Sequence, residues 1–474
     1  MPSLKTWQLI AGSAAVGLAL SVATVSAAGP WDSGQRKAER DRVGSWGRTG
    51  GADHGAGPLP QAAPSAPGVL GAVGPGAVRG QAAAAPGGLG AALGPLLADR
   101  ALGTVRTASV VDTATGQVLY ESGARDAMTP ASTVKIATAA AALAALGPEH
   151  RIRTSVVRGA APGQIVLVGG GDPSLTARKK APAGSGGSLV ALAADTAQAL
   201  KAAGTASVGL GYDDSLYTGP ARHPIGVNPN LALVTALTAD EGRPDESSSG
   251  PVERSEDPSK DAARAFAALL AERGITVTGE PARAKAPADA PPLAVTLSTP
   301  LAGLVERMLT HSDNDIAEAL ARQTALASGQ SAGFEGAEKA VADRLASLGV
   351  DTAGSRFADG SGLARADKVS AGLLTGLLAK AADPGRPELR PVLTGLPVAG
   401  FSGTLRARNA GSSPAAGLLR AKTGTLTGVN SLAGTVVDSS GRLLAFAFLT
   451  ANSPGPEGAE KALDKLAAAV AAAS

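Results

Sequence analysis

Ser132 is the only serine in the chain with a lysine three positions later, in Ser132-Thr133-Val134-Lys135. On a helix, positions i and i+3 share a face, so the amine can reach the hydroxyl. A serine hydroxyl is a weak nucleophile until a base takes its proton. An amine can be that base only where burial or a second cation lowers its pKa. First-turn N–H groups would then stabilise the oxyanion that forms as the serine attacks a carbonyl. Four letters do not establish this, because an exposed lysine near a serine gives the same string. Two later stretches add further parts in order. His311-Ser312-Asp313-Asn314 offers a second hydroxyl and an amide, and Ala421-Lys422-Thr423-Gly424-Thr425 offers a second amine and two more hydroxyls.

These residues need elements to position them. Pro130 opens a helix expected over residues 131–146, Ala-dominated, with Ser132 in its first turn and Gly147-Pro148 as its stop. Ser312 and Asn314 fall on a short connection between two helix-like stretches, PLAGLVERML and IAEALARQTALA. Residues 417–425, 430–438 and 442–451 read as three strands, with Lys422 in the first and a Ser439-Ser440-Gly441 turn joining the last two. Residues 105–122 form two β-rich runs around Thr115-Gly116, a hairpin signature. A closing helix from about Glu457 carries Leu463, Leu466 and Val470 on one face. The first and last segments are therefore expected to share one antiparallel sheet with helices packed on it. Between them, residues 148–295 mix strand-like pieces (IRTSVV, QIVLVGG, ASVGLGY) with helix-like stretches near 188–202 and 259–273, the pattern of an inserted domain. Its charged, Ser-rich and Pro-rich stretch 241–261 is expected to be an exposed loop.

Ser-x-x-Lys, Ser-Asp-Asn and Lys-Thr-Gly, in this order and in these elements, are the trio shared by class A β-lactamases and penicillin-binding proteins. The wider context is TPASTVKIATAAAAL, VGGGDPSL, LTADEGR, SDNDIAEALARQ, DGSGLAR, GLPVAGFSGTL and RAKTGTLTGVNSLAG. From about residue 100 to the carboxyl terminus it resembles the D-alanyl-D-alanine carboxypeptidase/endopeptidase family (peptidase family S13, the penicillin-binding protein 4 type). The resemblance implies an α+β fold, an α/β/α sandwich of the β-lactamase/transpeptidase-like type. Residues 96–147 and 296–474 would form its catalytic domain on an antiparallel five-stranded sheet, with a β-rich domain inserted over 148–295.

The same resemblance implies a serine carboxypeptidase, with endopeptidase action in reach, on peptidoglycan stem peptides ending in D-Ala-D-Ala. β-Lactams would be its covalent inhibitors, and no metal or other cofactor is implied. Ser132 would be acylated by the penultimate D-Ala carbonyl, Lys135 would take its proton, and Ser312 would relay a proton to the leaving nitrogen. Asn314 would hold the peptide amide. Lys422 would add a positive charge that helps keep Lys135 neutral, and Thr423 and Thr425 would bind the terminal carboxylate. The oxyanion hole would be the backbone N–H groups of Ser132 and Thr425. Asp359 and Ser361, in DGSGLAR, read as a tight turn packed beside the site.

Composition removes several rivals. The 474 residues include zero Cys and four His, which excludes thiolate metal sites, redox pairs and cysteine nucleophiles. There is no GxSxG elbow for a His-dependent serine hydrolase, and His150, His223 and His311 stand in loop contexts where exposure is the simpler reading. No HExxH is present, and the triple glycine at 169–171 lacks a following Gly-Lys-Ser/Thr, so it reads as a turn. Aromatics are 3%, which argues against stacking on nucleic acid, while a net charge of +3 suits anionic wall polymers. A β-lactamase on the same core needs a carboxylate that activates water, and no sequence feature places one. A non-catalytic β-lactam or wall-binding sensor would not need Ser132, Lys135 and Lys422 all intact.

Residues 1–29 hold an uncharged apolar run over 7–29, an export segment that is either signal peptide or membrane anchor. Arg36, Lys37, Arg40 and Arg42 follow it, against the positive-inside rule, but the wall chemistry outweighs that signal. From Gly50 to Leu96 the chain holds 13 Gly and 7 Pro, so 30–95 is expected to be a linker, with the folded part starting near Leu96. The protein is expected to be exported, to work at the outer membrane face, in the wall or secreted, and to touch membrane by its amino-terminal segment only.

Overall fold

The computed structural model describes residues 88–182 and 184–473; the expected export segment and the linker up to residue 87 lie outside the described residues. In chain order, helix α1 (Gly88–Leu97) precedes strands β1 (Val105–Asp112) and β2 (Val118–Ser122), and a 3-10 turn over Ala131–Val134 runs into α2 (Lys135–Leu146). Then come β3 (Arg153–Arg158), β4 (Gln164–Val168), α3 (Leu189–Ala202), β5 (Ser207–Asp213), α4 (Pro258–Ala271), β6 (Thr276–Arg283) and β7 (Pro292–Leu297). Helices α5 (Leu301–His311), α6 (Asn314–Ala327), α7 (Phe334–Ser347) and α8 (Ala371–Ala382) follow. The chain closes with β8 (Leu419–Leu426), β9 (Val429–Val437), β10 (Leu443–Ala451) and α9 (Pro456–Ala471).

The expected antiparallel sheet has the order β2-β1-β10-β9-β8. Side-chain alternation along β10 shows what covers it. Leu444, Phe446 and Phe448 join one buried cluster and Ala445, Ala447 and Leu449 the other, as befits a central strand with helices on both faces. The alanine face lets α2 and α8 approach closely, while α1 and α9 cover the phenylalanines. Helix α2 is buried all round from Lys135 to Leu143, so its alanines serve close packing rather than a solvent face. Strand β8 lies at the sheet edge, where Ala415, Pro397 and Ala399 bond to the outer side of its first residues, Leu419 to Ala421.

Helix α1 covers Gly88–Leu97, most of it inside the stretch expected to be linker up to residue 95. Leu89, Leu93 and Leu97 recur every four residues, and Leu93 and Leu97 are buried against the α9 side of the sheet. Each such leucine contributes roughly 1.5–3 kcal/mol on full burial, enough to hold a glycine-rich helix in place.

Residues 153–297, two positions beyond the expected end of the insertion, build a second five-stranded sheet, β6-β5-β4-β3-β7, with its own core. The β4–β5 and β5–β6 pairs are parallel, and each is joined through a helix, α3 and α4 respectively, as parallel neighbours require. The stretch 241–261 is not simply an exposed loop. Its ends turn inward: the Arg243 side chain pairs with Glu241 at 2.9 Å and Arg254 with Asp315 at 2.8 Å, all nearly buried. Buried charges need such partners, and here the partners lie beside the second serine motif. No helix among the described residues is long and apolar enough to cross a membrane.

Candidate active site

Ser132 sits in the 3-10 turn just before α2, not in the α-helix itself, and Lys135 is the first residue of α2. Ala131 has φ 48°, a left-handed backbone that costs a non-glycine residue energy and needs support from its surroundings. Two glycines give that support by close approach. A Cβ on Gly362 would meet the Ala131 carbonyl oxygen at 2.1 Å, and one on Gly424 would meet Ser431 Oγ at 2.2 Å and the Pro130 carbonyl at 2.7 Å. The nucleophile turn is therefore clamped between the 359–364 turn and β8. Gly424→Ala is expected to destabilise the fold by about 1–3 kcal/mol through overpacking, measurable as a lower denaturant midpoint. An unchanged midpoint would mean that the clamp is loose.

Lys135 is fully buried, and its Nζ donates to Ser132 Oγ at 3.0 Å, to Asn314 Oδ1 at 2.7 Å and to the Ser361 carbonyl. Burial lowers its pKa to about 8, while the charges of Asp359, Glu318, Asp313 and Asp367 resist that shift. Ser132 is partly exposed, so its oxygen can meet a substrate while its base stays dry.

Ser312 ends α5 in a left-handed conformation, and Asp313 caps α6 by accepting from the Ile316 N–H at 3.0 Å. This tight corner puts Ser312 and Asn314 on opposite sides of the cap. Lys422, also fully buried, donates to Ser312 Oγ at 2.9 Å and to the Thr423 carbonyl at 2.7 Å. Burial lowers the Lys422 pKa well below its ordinary value, and the charge of Lys135 lowers it further. The expected depression of Lys135 is present, but burial causes it; the repulsion is felt at Lys422.

The structure thus forms two lysine–serine pairs, with Asn314 bridging from Lys135 to the Asn230 carbonyl, where its Nδ2 donates at 2.9 Å. The hydroxyls of Thr423 and Thr425 turn elsewhere, to Thr404 at 3.1 Å and Glu460 at 3.3 Å. What Thr425 offers the site directly is backbone. The Leu419 and Ala421 N–H groups point away from β9, to the Ala415 and Pro397 carbonyls. By the two-residue period of a strand, the Thr425 N–H points to the same outer edge. Ser132, Ser312, Asn314, Thr425, Gly362 and Arg254 line one open cleft of about 300 Å³.

The Asp359 turn packs beside the site, as expected. His223 is the correction: it is buried rather than exposed, with Nε2 3.0 Å from Asp359 Oδ2 and 3.9 Å from Glu318 Oε1. No local pattern marks Glu318, a helix residue, or His223, in a loop, as partners of the Asp359 turn; only the tertiary fold brings them together. His311 is exposed as expected.

The chain matches the sequence model of the D-Ala-D-Ala carboxypeptidase 3 (S13) family over residues 89–243 and 237–472. It is 40% identical to Carboxypeptidase DacB of Mycolicibacterium smegmatis, over 80% of this chain and 83% of that protein. It is 31% identical to the D-alanyl-D-alanine carboxypeptidase of Actinomadura sp. strain R39, over 76% of this chain and 80% of that one. Its fold is similar to the crystal structure of penicillin binding protein 4 from Haemophilus influenzae, with a TM-score of 0.64 and 23% identity over 80% of this chain and 98% of that one. A second structure of that protein holds a β-lactam, at a TM-score of 0.60 and 22% identity over 79% of this chain and 98% of that one. With the family sequence model spanning most of the described residues, the chain belongs to the S13 family of D-Ala-D-Ala carboxypeptidases, serine-type hydrolases.

Proposed function

We propose that the chain releases the terminal D-Ala from peptidoglycan stem peptides through an acyl-enzyme on Ser132, and that β-lactams acylate the same oxygen. The observation that carries this is the buried amine of Lys135, 3.0 Å from Ser132 Oγ with a pKa lowered to about 8. Neutral Lys135 takes the Ser132 proton as Oγ bonds to the carbonyl carbon of the penultimate D-Ala. The backbone N–H groups of Ser132 and Thr425 hold the oxyanion. Collapse breaks the peptide C–N bond, and Ser312 gives its proton to the leaving nitrogen while Lys422 replaces that proton. The proton that Lys135 took then passes to the proton-deficient Lys422 through water in the cleft, which leaves Lys135 neutral again; Lys135 takes a proton from water as that water attacks the ester, and returns it to Ser132 Oγ as the acyl C–O bond breaks. Asn314 has a second Nδ2 hydrogen for the substrate amide, and Lys422 with the Thr423–Thr425 strand receives the terminal carboxylate. Endopeptidase action is the same acyl transfer with a cross-linked amine as leaving group.

Residues 88–147 and 296–474 serve as the catalytic body and 148–295 as the inserted one. The substrate lies outside the cytoplasm, so this reading needs export, and residues 1–29 are the segment that would direct it and supply any membrane contact. Against a β-lactamase, no carboxylate is hydrogen-bonded to Ser132 or Lys135 among the described residues, so nothing beyond the shared amine is set to speed deacylation.

Incubation with penicillin followed by mass spectrometry is expected to show a lasting adduct on Ser132, and a pentapeptide ending in D-Ala-D-Ala is expected to release D-Ala. Rapid penicillin turnover would assign a lactamase instead, an adduct without D-Ala release a sensor, and neither adduct nor release would sink the proposal.

A further inference from the structure

We infer that His223, contributed by the inserted segment, is a positioning residue for Lys135, acting through Asp359 and the carbonyl of Ser361; this rests on the function proposed above. The geometry is a chain of contacts. His223 Nδ1 accepts from the Ile225 N–H at 3.2 Å, and its Nε2 meets Asp359 Oδ2 at 3.0 Å. Asp359 in turn accepts from three backbone N–H groups: Ser361 at 3.0 Å and Gly362 at 2.5 Å on Oδ1, and Ala364 at 2.7 Å on Oδ2. Those bonds fix the 359–364 turn, whose Ser361 carbonyl receives the Lys135 amine and lies 3.4 Å from Ser132 Oγ. Glu318 Oε1 holds the same turn by accepting from the Gly360 N–H at 3.1 Å and the Ser361 N–H at 3.0 Å.

His223, Asp359, Glu318, Ser361 and Lys135 are all buried, so little water competes with the bonds among them. The His223 ring is also held edge-on against Phe334, with centroids 5.1 Å apart. His223, Glu318 and Asp359 lie close enough together to hold a cation. The backbone N–H groups already take up Asp359 and one oxygen of Glu318, so the cluster reads as a brace rather than a metal site.

The brace also sets charge. Burial raises the carboxyl of Asp359, but hydrogen bonds from His223, Asp367 and the Gly362 N–H outweigh it and hold the pKa at about 2. Burial and Asp359 push Asp367 up to about 10, so it stays protonated beside Asp359. Burial and Asp359 push Glu318 up to about 7. Lys135 faces Asp359, Glu318, Asp313 and Asp367 as anions or acids and Lys422 as a second amine. His223 acts on Lys135 through the Nε2–H that it gives Asp359, because an Nδ1 that accepts a hydrogen bond leaves the ring neutral. Without that donor the 359–364 turn loses an anchor, and the Ser361 carbonyl is held less firmly against the Lys135 amine.

The test compares wild type with His223→Gln, which keeps a donor to Asp359, and His223→Ala, which removes it. The readout is the limiting rate of acylation by penicillin and the penicillin concentration at half-saturation, beside thermal melts. His223→Ala is expected to lose about tenfold in the limiting rate with little change in the concentration at half-saturation, and His223→Gln to keep the rate within about twofold of wild type. A folded Ala variant that keeps the wild-type rate overturns the inference, and so does a Gln variant that loses tenfold, whether or not the Ala variant folds. A wild type that penicillin does not acylate would overturn the proposed function first, which separates the two failures.

Discussion

Lys135→Ala is expected to lower the acylation rate of Ser132 by about 10² or more, because removing a general base leaves the serine hydroxyl unactivated. The reason is geometric: Lys135 is the only amine hydrogen-bonded to Ser132 Oγ among the described residues, and Lys422 is bonded to Ser312 instead. A loss of rate alone could reflect misfolding, so stability supplies the control. Lys135 pays a desolvation penalty: its pKa falls from 10.5 to about 8 on folding. Above pH 10.5 the amine is neutral in both states and the penalty vanishes; as pH falls toward 8 the penalty grows, and below 8 it is complete. Its size is up to about 3 kcal/mol by linkage, set against the lost hydrogen bonds to Asn314 and Ser361. Lys135→Met should therefore be inactive yet gain stability relative to wild type at pH 7 compared with pH 10. Denaturant titrations of both proteins at the two pH values check this. A stability difference that does not change with pH would contradict the buried, readily deprotonated amine on which the base role depends.

Much of the site was legible in the sequence because its chemistry is local. Ser132 and Lys135 share one turn, Ser312 and Asn314 share one helix cap, and Lys422 to Thr425 share one strand, so residue type and spacing sufficed. The last three strands and α9 were legible from period-two and period-3.6 alternation. What the sequence hid lies in side-chain direction and long-range contact. Strand periodicity puts Thr423 and Thr425 on one face, but which hydroxyl meets substrate and which meets Thr404 or Glu460 depends on α9 and a distant turn. His223 stands in a loop with no apolar periodicity, so its burial follows only from the closure of the inserted segment onto the 359–364 turn. The helix α1 was obscured by glycine content, although its leucine stripe was present. Arg243 and Arg254 lay in a stretch whose composition suggested solvent, while their partners lay elsewhere in the chain.

Lys422→Ala is expected to cost most for substrates that end in a free carboxylate. A charge-assisted hydrogen bond is worth about 1.5–3 kcal/mol, so kcat/KM on the free-acid peptide should fall by roughly 10-fold to 10²-fold more than on its amide-capped counterpart. Lys422 also acts on the base. Burial lowers both amines, and the charge of Lys135 lowers Lys422 further, so the two disfavour carrying a proton at the same time. A bound substrate carboxylate favours the charge on Lys422. Because coupling between two sites is reciprocal, that charge then pushes a proton off Lys135 and readies the base only when the correct terminus is in place. The acid limb of kcat, which reports the complex, should consequently move to higher pH in the variant. Paired pH profiles on free and capped peptides test both statements together. Equal losses on the two substrates, with the limb of kcat unmoved, would leave Lys422 a support for Ser312 and nothing more.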